Sequence, residues 1–149
     1  MSMTLQNLLG ITLDAITPNR ETIGRLLAAA QRNLLDARLE ALSPENRFDA
    51  AYKAIMQLAM LSLNANGFRP LTSRPGHHQT AIQSLTLTIG LPVERMIVLE
   101  ALRKQRNLSD YGGDLVTDAA VHECISSASA LLDKVQAWLT DNRPEFAGD

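Results

Sequence analysis

The feature that most constrains this chain is a run held between two punctuation marks. Ser43-Pro44-Glu45 opens it, Asn66-Gly67 closes it, and inside it Phe48, Ala51, Ile55, Leu58, Ala59 and Ser62 recur at helical spacing. That period is one face of an α-helix. Proline is tolerated at a first helical position, and glycine takes the left-handed conformation that closes a helix. About 22 residues at 1.5 Å each make a rod of roughly 33 Å. A second rod precedes it, with Thr17 as N-cap, Pro18 as first helical residue, and Ile23, Leu26, Leu27, Ala30, Leu34, Leu35 and Leu42 along one side. Two rods joined by so short a link must run antiparallel.

Downstream, Phe68–Gly76 reads as a loop and His77–Ile89 as a helix carrying Ala81, Ile82, Leu85 and Ile89. Leu85-Thr86-Leu87-Thr88-Ile89 alternates like a strand, but a lone strand would lack a partner in a chain with no other strand pattern. Pro92 opens a fourth helix with Val93, Met96, Ile97 and Leu102 on its apolar face and Leu99 at the edge, finishing near Arg106. A polar loop with Gly112-Gly113 follows. Thr117 then caps a last helix that buries Val121, Cys124, Ile125, Ala128, Leu131, Leu132, Val135 and Leu139. Leu5–Ile16 adds a turn or two of helix at the amino end. The expectation is an all-α, up-and-down bundle of four to five helices, a single domain over 1–149 with its core at about 17–141. Hydrophobic residues make up 46% of the chain and aromatics only 4%, so aliphatic side chains must build that core.

A formal charge of -2 excludes a protein that coats nucleic acid by bulk charge; polyanion binding here must be a local patch. Cys124 is the single cysteine, so no internal disulfide forms, which fits a reducing compartment, and its apolar setting reads as core. No stretch reaches the ~18 apolar residues of a membrane span. Met1–Ile16 carries no positive charge ahead of its apolar part, unlike a secretory signal. The expected location is cytoplasmic.

Chemistry concentrates in Leu99-Glu100-Ala101-Leu102-Arg103-Lys104-Gln105-Arg106-Asn107-Leu108-Ser109-Asp110-Tyr111-Gly112-Gly113. Arg103 and Arg106 are three apart and share a side of the helix, where two guanidinium forks could cradle a phosphate. A competing reading is structural: cations in a last turn complement the helix dipole by about 0.3–1 kcal/mol each, and Glu100 with Lys104 forms a surface pair. His77 and His78 are adjacent at a helix start, where side chains diverge; with no Cys or carboxylate set beside them, no metal or other cofactor is expected. Capping or hydrogen bonding at the helix start is their structural alternative. His122 reads as a surface residue and Trp138 as packing.

The segment Ser43-Pro44-Glu45-Asn46-Arg47-Phe48-Asp49-Ala50-Ala51-Tyr52, the entry Gly76-His77-His78, and Arg106-Asn107 followed by Tyr111-Gly112 together resemble the HEPN superfamily of small helical bundles, over the central two thirds of the chain. The resemblance implies a homodimer that cuts RNA without a metal. An arginine and a following polar residue hold the phosphate, and a histidine four to six positions on moves the proton. It also implies a toxin–antitoxin or defence setting, with an antitoxin or a nucleotidyltransferase as partner. Arg106 and Asn107 match; Tyr111 stands where the histidine belongs. A free phenol titrates near pH 10, so it is a poor base at neutral pH, and losing a general base typically costs about 10²–10⁴ in rate. The expectation is an RNA- or nucleotide-associated module with weak or absent ribonuclease activity, contacting ligand through Arg103, Arg106, Asn107, Tyr111 and His77. The first alternative is an active metal-independent endoribonuclease in which His77 or His78 joins Arg106 and Tyr111 as the catalytic group. The second is a protein-binding scaffold or antitoxin-like partner.

Overall fold

The computed structural model describes residues 3–73, 75–113 and 115–147, with backbone alone for 110–112. The long run opens as α2, Pro44–Ala65, with the Ser43 hydroxyl accepting from the Asn46 amide. It buries Phe48, Tyr52, Ile55, Leu58 and Leu61, and it is the central rod of the molecule. Before it stands α1, Arg20–Ala37. Asn19 is the N-cap rather than Thr17, because its Oδ1 accepts the Thr22 amide at 2.9 Å; Pro18 lies outside the helix. The two rods are antiparallel, as their cross-links show: the Asn19 amide donates to Asn64 Oδ1, Asn33 Nδ2 to Gln57 Oε1, and Arg47 Nε to the Ala37 carbonyl. α1 ends at Ala37, so Leu42 is outside it, and Leu35 faces solvent.

Two corrections concern strands. Leu13–Ala15 (β1) and Phe68–Pro70 (β2) pair antiparallel, with Leu13 opposite Pro70 and Ala15 opposite Phe68. The segment 68–76 is therefore not all loop, and the amino-terminal stretch is a 3-10 turn at Gln6–Leu8 followed by a strand. Strands of three residues are too short to show a period of two, and this pair forms only because the α1–α2 hairpin brings its ends together. Gly67, at φ +87°, makes the turn into β2; a Cβ there would meet the Ile16 carbonyl oxygen at 3.3 Å.

The third predicted helix is broken at Ser84 into α3, His77–Gln83, and a single turn α4, Leu85–Thr88. α5 spans Val93–Gly112 and α6 spans Asp118–Asn142, capped by the Thr117 hydroxyl. α6 packs on α2, and Cys124 sits within this contact, buried, with its thiol toward the Phe48 carbonyl. Trp138 packs half-buried against the core, and His122 is exposed. The buried side chains form one cluster, so the all-α bundle expected from the sequence is what is observed.

The largest departure is the roll and length of α5. It continues past Arg106 to Gly112, and Gly113 closes it at φ +70°. Arg103 and Arg106 are thus not in its last turn, and the dipole account of them does not apply. Leu99 and Leu102 are its buried residues, while Val93 and Ile97 are 54% and 58% exposed. Leu102 was expected on the inward face and Leu99 at its edge, so at about 100° per residue the face is turned by roughly 140° toward Leu99 and away from Val93 and Ile97.

Candidate functional site

Turning α5 this way points Arg103 and Arg106 toward α2 and α3. Asp49 and Tyr52 stand three apart on α2, hence on one side of it. Arg106 Nε donates to Asp49 Oδ1 at 3.4 Å, and the Arg106 guanidinium carbon lies 5.4 Å from the centre of the Tyr52 ring. That is within cation–π range. The Tyr52 hydroxyl lies 3.1 Å from His78 Nδ1, the ring centres 5.8 Å apart. Three helices thus deliver one corner: Asp49 and Tyr52 from α2, His78 from the first turn of α3, Arg106 from α5.

The electrostatics of the corner follow from burial. Tyr52 is only 1% exposed, and desolvation pushes its phenol up to about 12. It therefore stays protonated and neutral under any physiological condition. His78 is held below the ordinary histidine value, first by desolvation, then by the positive charges of Arg106, Arg103 and His77. At neutral pH it is an uncharged imidazole with one nitrogen engaged by Tyr52, in a residue that is exposed overall. A neutral imidazole beside a guanidinium can accept a proton while the cation holds an anion.

Not every expected residue joins. The expected double cradle is reduced, because the Arg103 fork is closed by Glu100: Nε to Oε2 is 2.7 Å and Nη2 to Oε1 is 3.3 Å, with the side chains 16% and 12% exposed. Glu100 was expected to pair with Lys104; it turns to Arg103 because both lie toward the interior, while Lys104 is exposed. The Glu100 carboxylate also accepts from Gln83 Nε2 at 3.4 Å. Arg106 keeps a 24% exposed side chain. Asn107 follows it, half-buried. His77 is half-buried with Nε2 enclosed and no hydrogen-bond partner among the described residues. Tyr111 belongs to the last turn of α5, but its side chain lies outside the described residues. Among the described residues no group of three or more His, Cys, Asp or Glu is placed to hold a metal ion, and no helix is long and apolar enough to cross a membrane.

Sequence reasoning missed Asp49 and Tyr52 as site residues. The available signal was an acid and a phenol three apart on the rod whose other positions are almost all aliphatic. Asp49 and Tyr52 lie in the segment 43–52, His78 at the start of α3 and Arg106 on α5, so three stretches distant in sequence meet at one corner. Comparison with family models, curated proteins and solved structures finds no significant match for this chain.

Proposed function

We propose that this chain is an RNA-directed helical module whose Tyr52–His78–Arg106 corner holds a phosphodiester and cleaves it slowly without a metal. The observation that carries the reading is the 3.1 Å contact between His78 and the hydroxyl of Tyr52, whose ring lies under the Arg106 guanidinium. The proposal takes the tautomer in which Nδ1–H donates to the Tyr52 oxygen, so that His78 Nε2 keeps the lone pair a general base requires. Arg106 pairs with a phosphate oxygen, and His78 takes the proton of the ribose hydroxyl as that oxygen attacks phosphorus. The bond to the leaving oxygen breaks, and water protonates it. The substrate class rests on the HEPN resemblance, as does a toxin–antitoxin or defence role with an antitoxin or nucleotidyltransferase partner.

A homodimer belongs to the same reading. It is supported by the outer stripe of α5, where Val93, Ile97 and Leu108 are exposed at helical spacing, a face a second copy can cover symmetrically. The scaffold reading is favoured by one observation, the closure of Arg103 by Glu100, which removes one of the two cations from ligand binding.

A chelator-treated sample incubated with end-labelled single-stranded RNA separates these. The proposal expects slow cleavage, reduced at least about 100-fold in both Arg106→Ala and His78→Ala, with RNA binding lost in Arg106→Ala and kept in His78→Ala. Absence of RNA binding at low salt sinks the proposal and leaves the scaffold.

A further inference from the structure

A cavity of about 250 Å³ lies between the start of α5 and the middle of α6. Its floor is apolar, made by the buried side chains of Leu91, Leu99 and Leu131. Its rim carries two exposed cations from opposite walls, Arg95 of α5 and Lys134 of α6. None of the ion pairs among the described residues uses either of them. Ser127 is the buried polar group of the lining, and its hydroxyl is turned to Glu123 Oε1 at 3.4 Å. The place is distinct from the Arg106 corner: eleven residues along α5 amount to about 16 Å.

Size and charge together narrow the occupant. An apolar void of about 150 Å³ in a protein interior admits benzene, so this one takes a ring with a short tail. A mostly apolar pocket with few convergent polar groups is the usual form of a small-molecule site. A purely apolar guest would leave both rim cations without an anion. A bare inorganic anion would leave the leucine floor uncovered. A polynucleotide cannot enter a space this small. We propose that this cavity binds a small organic acid, a benzene-sized apolar body seated on Leu91, Leu99 and Leu131, with its carboxylate between Arg95 and Lys134.

Titration calorimetry of the intact chain tests this with four probes: phenylpropanoate, its alcohol, its amine, and inorganic phosphate. The acid is expected to saturate, the alcohol to bind at least tenfold more weakly, and the amine and phosphate to show no saturation over the same range. Arg95→Gln combined with Lys134→Gln should weaken the acid at least tenfold and bring it level with the alcohol. Both positions are exposed, so the fold should survive, which a circular dichroism melt checks. Ala130→Trp, on the cavity wall, should block the acid while leaving both cations in place. Equal binding of acid and alcohol, an affinity indifferent to loss of both cations, or no saturation by the acid at about 10 mM overturns the proposal. None of these outcomes bears on RNA cleavage at Arg106.

Discussion

On its inner side α5 carries Glu100, Arg103 and Arg106 beside Leu99 and Leu102. On its outer side Val93, Ile97 and Leu108 stand in solvent with Lys104 among them. An ordinary surface helix is arranged the other way, with its apolar stripe on the core and its charges in water. Holding charges inward is costly unless each is partnered, and here they are: Arg103 by Glu100, Arg106 by Asp49 and the Tyr52 ring. α5 is thus rolled so that its charges meet a polar corner, at the expense of apolar burial on its other side. Four measurements test that contrast.

The largest effect concerns what lies beneath the inner face. Tyr52 and Cys124 are each pushed up to about 12, from 10.0 and 9.0, chiefly by burial. Raised values in the folded state mean stability that is fully present below the unfolded values and lost as pH climbs from them through the folded ones. The native chain should lose on the order of 5 kcal/mol by pH 12, first through the thiol and then the phenol. Urea unfolding from about pH 8 to about pH 11.5 measures this, and Tyr52→Phe should flatten the upper part of the fall. A midpoint unchanged over that range would mean neither group is sealed.

Next comes a matched pair of substitutions on the same helix. Leu102→Gln puts an amide without partners into the core and should cost about 3 kcal/mol. Ile97→Gln should cost the monomer less than about 0.5 kcal/mol while weakening self-association in sedimentation experiments. Equal costs in dilute protein would show that the outer face is covered within one chain, and the contrast would collapse.

Much of the fold was legible because helices announce themselves locally. The Ser43 and Thr117 caps, the stripe of α2 and the left-handed Gly67 are all written within a few residues of where they act. β1 and β2 were invisible because each is three residues long and their pairing depends on a hairpin of two helices between them. α5 misled for a different reason. Periodicity put Val93 and Ile97 inward with Leu102, whereas the structure keeps Leu102 inside and brings Arg106 to Asp49 and Tyr52 on another helix. Arg106 could be singled out from its neighbours in sequence, and His78 could be named as a substitute base. That the two flank one phenol is a property of three helices at once, which no single stretch encodes.

A smaller effect tests the partnered charges themselves. Glu100→Gln removes the closure of Arg103, leaving a mostly buried guanidinium with a neutral acceptor, and should cost about 1–2 kcal/mol in urea unfolding. The Asp49–Arg106 contact is longer and more exposed, so Asp49→Asn should cost less than about 1 kcal/mol. Glu100→Gln should also strengthen RNA binding, since it releases a second cation into the corner. Unchanged binding would mean that Arg103 stays turned inward and that Arg106 alone meets the phosphate.

The smallest and most discriminating measurement is the titration of His78, followed through its ring protons by NMR. Its pKa lies below the ordinary 6.5 because burial comes first and the charges of Arg106, Arg103 and His77 follow. Arg106→Gln should therefore raise it without restoring the ordinary value, since the larger cause remains. Lys104→Gln, on the outer side of the same helix, should leave it where it is. The depressed value also fixes a sign: His78 contributes stability above the unfolded value, and this is lost as pH falls toward the folded one, so the chain should weaken on mild acidification. Under the cleavage proposal the same group sets the rate, which should rise with pH and level off at lower pH than for an ordinary histidine. A titration indifferent to Arg106 would mean that the guanidinium does not face the imidazole. The inner side of α5 would then be a set of separate ion pairs rather than a site.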